Sequence, residues 1–296
     1  EAAAAAEAAA EEAAVSASEA AKLRLHLPAA ALVASLASPG RCLSPTQLTT
    51  LYHEVGHALH ALLSRAPSHH FGGLRVAPDF VEVPSVLFER LALHPPALEA
   101  WSTHVETGSP IPHAEAVALS RAVSAVPFGG AMRLQLDAVQ AMLDLELHRS
   151  PSPPSQEEAA ALVTSLHAKH TAVPLPSAAA AEAGARLGSF GHLASYGGHY
   201  YAYLYARSVA VRVWRGAGFA HDALGGAAGR AWCAEVLHHG GSRDPRQLLQ
   251  SLLRSSPRGE TSGAASGAVA AEGSAASSEE VVEQALLRLV RLETEA

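Results

Sequence analysis

The chain has 296 residues and a formal charge of −7, from 21 Lys and Arg against 28 Asp and Glu. That acidic balance excludes nucleic acid as the main partner, because phosphate binding needs clustered positive charge. Two cysteines, Cys42 and Cys233, provide neither a disulfide framework nor a thiolate metal site, and no apolar run approaches the ~20 residues of a membrane span.

Alanine and leucine dominate and aromatics are scarce, so helices are favoured over sheets. Residues 1–22 are nearly all Ala, Glu and Ser, which predicts a frayed helix or low-complexity leader without a large apolar face. The start at Glu1 is acidic and lacks a methionine, unlike a basic mitochondrial presequence, and the chain reads as a fragment or processed product. Residues 23–36 form an apolar run broken at Pro28, a buried strand or a helical turn, closed by Ser38-Pro39-Gly40. A helix then opens with Ser44 as N-cap, Pro45 in first position and Gln47 completing a capping box. Leu48, Leu51, Tyr52, Val55, Leu59 and Leu62 recur at three- and four-residue steps and predict its core face.

That helix contains LYHEVGHALH, Leu51 to His60. His53 and His57 fall on one face a turn apart, so two imidazoles can grip one metal ion, and Glu54 flanks them. This is the HExxH pattern of zinc metalloproteases; the plain alternative is an exposed pair in a chain with 17 histidines. His60 lies about 10.5 Å along the axis from His53, too far for one small tetrahedral site, and reads as a packing or supporting residue. Catalytic zinc usually takes three protein ligands. His69-His70 lies in the loop directly after the helix, and Glu82 is the better candidate. In DFVEVPS, Asp79 reads as an N-cap with Glu82 in the first turn of a second helix, so a capping-box glutamate is the competing role. Glu89, seven residues on, falls on a similar face and can support a ligand histidine.

Residues 98–105, 114–126 and 131–148 predict three helices with leucine and valine cores, separated by Gly/Pro turns. A Pro/Ser loop follows, then a helix over 157–169 capped by Ser155 and a short alanine-rich segment at 178–185. The stretch FGHLASYGGHYYAYLY, Phe190 to Tyr205, holds four tyrosines within Tyr200–Tyr205, with Tyr196 in a glycine-rich loop before them. Tyr200 and Tyr203 share a helix face, either as aromatic core or as a wall whose hydroxyls meet a polar cleft. Residues 221–239 predict a helix and GGSRDP a turn opening another to Leu253; 255–278 is a Gly/Ala/Ser-rich insert and 281–292 an amphipathic helix.

Taken in order, LYHEVGHALH, DFVEVPSVLFE and FGHLASYGGHYYAYL resemble the catalytic half of the thimet oligopeptidase-like zinc metallopeptidases, and the 25-residue separation of His57 from Glu82 matches as well. The stretches YGGHYYAYLYARSVAVRVW and HGGSRDP look most like the mitochondrial precursor-processing branch. The resemblance implies a mainly α, multi-helical zincin-like domain with little or no sheet. Its domain would occupy 23–254, with 279–296 as a returning C-terminal helix. It implies one Zn2+ held by His53, His57 and Glu82, with Glu54 as general base. Tyr203, then Tyr200 and His192, would hold the developing oxyanion; Tyr196 would touch substrate, and Glu89 would support the ligands. Gly73 falls where the family often carries a Gly-Thr pair in a substrate loop. The expected partner is a peptide or imported presequence in the mitochondrial matrix, with removal of an N-terminal octapeptide. The alternatives are a general oligopeptidase of cytosol or plastid and a non-catalytic zinc-binding remnant, since the family's N-terminal half is not in this sequence.

Overall fold

The first helix, α1 (Pro45–Leu63), begins at the cap its sequence encodes: the Gln47 amide donates to the Ser44 hydroxyl at 3.2 Å and the Ser44 amide to the Gln47 side chain at 3.0 Å. The structure, a computed structural model, describes residues 28–36, 42–125, 130–149, 151–172, 175 and 187–255. The predicted leader, the alanine-rich segment at 178–185, the insert from 256 onward and the predicted C-terminal amphipathic helix lie outside the described residues.

The buried face of α1 is not the predicted one. Thr49, Gly56 and His60 are buried, while Leu48, Leu51, Tyr52, Val55 and Leu59 are half-buried and Leu62 is exposed. The cause is a backbone-on-backbone approach to α2 (Val83–Ala92). A Cβ at Gly56 would lie 2.6 Å from Ser85 Cα and 2.9 Å from the Pro84 carbonyl oxygen. Helices meet this closely only where a residue has no side chain, so the small and polar stripe goes inward.

The start of α2 also departs from expectation. Asp79 does not cap it; residues 78–82 are turns tied by Phe80 and Val81 amides to the Ala77 carbonyl, and the helix begins after Glu82. Phe80, 1 % exposed, plunges into the core, and Pro84 at the helix start favours an entry one turn later than the capping box required. Glu82 makes no capping hydrogen bond, so its carboxylate is available elsewhere.

Among the described residues nine further helices follow: α3 (Pro95–Trp101), α4 (His113–Ala125), α5 (Gly130–Arg149), α6 (Gln156–His170), α7 (His192–Ser195), α8 (Tyr201–Gly216), α9 (Phe219–Asp222), α10 (Ala227–Glu235) and α11 (Pro245–Ser255). No strand occurs among the described residues, which meets the expectation of a mainly α fold. Residues 28–36 form neither strand nor helix. The helix predicted over 98–105 starts at Pro95 and stops at Trp101. The helix predicted over 221–239 is broken by Gly225-Gly226 into α9, α10 and a 3-10 turn at Leu237–His239. Ser155 caps α6 through a full capping box. Among the described residues, no helix is long and apolar enough to cross a membrane.

Helix α8 joins two cores. On one side Ala206, Ala210, Val213 and Trp214 pack with Phe80, Val86 and Leu87 near α2 and with Trp232, Leu237, Leu248 and Leu252 of the later elements. On the other, Leu204 packs with Leu134, Val139 and Met142 of α5 and Val163 and Leu166 of α6, with Tyr200 and Tyr201 against it. One face of α8 is thereby held toward α2 while its N-terminal turn is pinned from α5.

Candidate metal centre and cleft

His53 and His57 stand on consecutive turns of α1, and the early turn before α2 delivers Glu82 to them. His53 Nε2 lies 3.2 Å from His57 Nε2, and Glu82 Oε2 lies 3.3 Å and 3.2 Å from those two nitrogens. These atoms form a nearly equilateral triangle, and the three residues are the one cluster among the described residues able to hold a metal. A tetrahedral ion bound at about 2.0–2.1 Å spaces its ligand atoms about 3.3 Å apart, which is the spacing seen.

Protonation points the same way. Glu89 Oε1 sits 2.6 Å from His53 Nδ1, which turns Nδ1 to that carboxylate and Nε2 to the triangle. Lone pairs of two imidazoles and a carboxylate converging on one point need a positive charge between them. The acid–base properties express that demand. Burial disfavours charge on His53, yet its hydrogen bonds with Glu82 and Glu89 carry its pKa up to about 10. Burial likewise raises the Glu82 carboxyl, but hydrogen bonds from His53 and His57 bring it well below the usual carboxylate range. Ser85 Oγ donates to the Glu82 carbonyl at 2.8 Å and lies 3.1 Å from Oε2, which steadies the side chain. The donor set therefore suits a small divalent cation.

The cluster forms one edge of a cleft of about 890 Å³. Glu54, His57, Ala58 and Ala61 line it from α1, Leu74, Val76, Pro78 and Val81 from the following loop, and Ala30–Val33 from the irregular run at 28–36. Among the described residues, 30–33 have no backbone–backbone hydrogen bond. Facing α1 across the cleft stand His192, Ser195, Tyr196, Gly197, His199, Ala202 and Tyr203. The His192 ring is caged by Tyr196, Tyr200 and Tyr203 at 5.2, 5.0 and 5.5 Å between centroids. Burial, with Glu82 next, pushes the Tyr203 hydroxyl up to about 12, so it remains a hydrogen-bond donor through the neutral range.

Two of the expected site residues are not among those lining the cleft. Tyr200 does not line the cleft: its hydroxyl donates to Gln140 Oε1 at 2.7 Å, drawn toward α5 and away from the metal cluster. Gly73 is not a cleft residue either. A Cβ there would meet Ala61 Cα at 3.0 Å, so it packs under α1 while its neighbour Leu74 reaches the cleft. The loop is fixed from behind by GGS: Gly241 N–H donates to the Phe71 carbonyl and Arg65 N–H to that of His238, both at 2.8 Å. Gly240 has φ +49, a conformation side chains avoid, and this lets its chain lie against Phe71 and Ser64. His60 is fully buried with neither ring nitrogen bonded, its pKa driven down to about 4 by burial and then by His57; it packs and stays neutral.

Sequence reasoning missed the support beneath the tyrosines. Asp137, Gln140 and Asp144 of α5 carry bonds that hold this wall, and the His148 ring packs over Gly197. Their spacing of three and four residues was a legible signal: a polar stripe on a helix otherwise rich in leucine, needing buried partners.

A helical fold that presents HExxH and a distal glutamate to an open cleft is the arrangement of the metallopeptidase class. The chain belongs to Peptidase family M3, whose model matches residues 6–266, a family of zinc-dependent peptidases. It is 35 % identical over 241 residues to the mitochondrial intermediate peptidase of Aspergillus clavatus, covering 78 % of this chain and 30 % of that protein. Against the mitochondrial intermediate peptidase of Malassezia globosa it is 34 % identical, covering 78 % and 28 %, and against that of Homo sapiens 32 %, covering 78 % and 32 %. The chain thus spans about a third of the length of the curated relatives it matches.

Proposed function

We propose that this chain is the catalytic domain of a zinc metalloendopeptidase, with His53, His57 and Glu82 as ligands of one Zn2+. The observation that carries this reading is the triangle of ligand atoms with 3.2–3.3 Å edges opening on the same cleft as Glu54. Zinc, when bound, supplies Lewis-acid polarisation and acidifies water. Glu54 takes the proton from the attacking water and returns it to the leaving amine. Tyr203, kept neutral by burial, donates to the oxyanion, with His192 beside it. Tyr196, 64 % exposed at the rim, and residues 30–33, which line the same cleft, lie where an extended peptide would pass. Glu89 orients His53 through Nδ1.

The relatives' name, mitochondrial intermediate peptidase, supports a mitochondrial address; the reading we attach to it is removal of an N-terminal octapeptide from imported precursors in the matrix. A second reading, a zinc-binding module without turnover, is supported by the ligand triangle alone, which can hold a metal whether or not Glu54 acts on substrate. Both readings turn on one comparison. The purified chain is expected to hold one zinc and to cleave a quenched presequence peptide, while Glu54→Gln keeps the zinc and loses about a thousandfold in kcat. Zinc-loaded wild type no faster than Glu54→Gln refutes catalysis; absence of zinc refutes the ligand set.

A further inference from the structure

The five residues Tyr196–Tyr200 join the short helix α7 to α8 and include the pair Gly197-Gly198. A link with two glycines has little stiffness of its own, and Tyr200, at the start of α8, makes no side-chain cap. The residues that face the cleft, His192, Tyr196 and Tyr203, hang from either end of this link. Within the link a turn bond from His199 N–H to the Tyr196 carbonyl at 3.1 Å is present, and the remaining restraint comes from outside it.

The restraint comes from α5. Asp144 is fully buried, and its two carboxylate oxygens are divided between two backbone amides: Gly198 N–H donates to Oδ1 at 2.9 Å and Tyr200 N–H to Oδ2 at 2.8 Å. One turn on, His148 Nδ1 lies 2.9 Å from Asp144 Oδ1 and 2.8 Å from the Asp144 carbonyl oxygen, while its ring lies over Gly197, leaving no room for a side chain there. One turn earlier, Gln140 takes the Tyr200 hydroxyl. A buried carboxylate at the amino end of α8 also meets that helix's positive dipole end, a cap delivered from another helix.

We propose that Asp144 is a positioning residue for the peptidase reaction: by gripping Gly198 and Tyr200 it holds the turn that presents His192 and Tyr203 to the cleft. The inference rests on the proposed function for what those side chains do, but the grip is measurable without it. Charge-assisted bonds to a buried carboxylate are among the stronger ones, and Asn at this site offers one acceptor where two amides point.

The test uses the full zinc-loaded chain and Asp144→Asn. Amide hydrogen exchange at Gly198 and Tyr200 is expected to accelerate at least tenfold, with Val213 in the core of α8 unchanged. Zinc content should stay at one per chain, kcat on the quenched peptide should fall tenfold to a hundredfold, and KM should move less. Unchanged exchange, or faster exchange with kcat intact, overturns the proposal, as does loss of zinc together with protection throughout the chain, which marks a general structural role. Should Asp144→Asn fail to fold, Gly198→Ala decides: at φ +76 an alanine strains the same turn with Asp144 in place, and an unchanged kcat is the overturning result. If wild type neither holds zinc nor cleaves, the proposed function falls, and the grip stands or falls on the exchange of Gly198 and Tyr200 alone.

Discussion

The two sides of the cleft are built on different principles. On the ligand side, α1 and α2 meet backbone to backbone at Gly56, and the three ligand atoms come from segments 25 residues apart in sequence. On the tyrosine side, the cleft residues hang from a glycine-containing turn held by α5, whose Asp144 and Gln140 are 54 to 60 residues away from their partners. Steric contact defines the first side, and a small set of buried hydrogen bonds defines the second. The first should therefore tolerate no added volume, and the second no change of polarity.

The largest effect should separate two tyrosines of the same helix face. Tyr203→Phe is expected to lower kcat by about 10²–10³ if its hydroxyl serves the oxyanion, with zinc retained. Tyr200→Phe removes only the bond to Gln140 and should change kcat severalfold at most. Steady-state kinetics on one peptide compares them, and equal losses would erase the distinction drawn between cleft and support.

Next in size is the test of steric closure. Gly56→Ala forces α1 off α2 and should destabilise the fold by about 1–3 kcal/mol in urea unfolding. Because the same contact brings Glu82 to the histidines, zinc should also dissociate faster from the folded variant. Wild-type stability with wild-type zinc retention would show that the approach at Gly56 does not hold the ligand side together.

The smallest effect concerns His60, buried beneath that contact. Its pKa falls from 6.5 to about 4 on folding, so between those values the unfolded chain binds a proton that the folded chain refuses. Stability from this residue is complete above pH 6.5 and declines as the pH falls toward 4, by roughly 2 kcal/mol at pH 5. In chelator, His60→Leu should lose less stability than wild type between pH 7 and pH 5. Parallel melting curves across that range would show that His60 is not buried in neutral form.

How much could be read from the sequence follows the same division. The capping box at Ser44, the histidine pair of α1 and the helical class are encoded within a few residues, through caps and the 3.6-residue period. The choice of Glu82 over His69 and His70 was also legible, although the local reason given for its position was wrong: no cap at Asp79 exists, and the turn before Pro84 is what frees the carboxylate. Periodicity misjudged the buried face of α1 because it weighs apolar residues and cannot register that Gly56 will meet a backbone.

By itself, then, the sequence pointed to the family through the resemblance of its motifs, and to the helical class and a histidine pair able to grip a metal through composition and short-range spacing. Only the tertiary structure decided which tyrosine faces the cleft, that Gly73 packs beneath it, and that Asp144 holds the opposite wall. Those outcomes depend on contacts between distant helices, where the direction of a hydroxyl or the room for a Cβ is set by a partner that local pattern does not name.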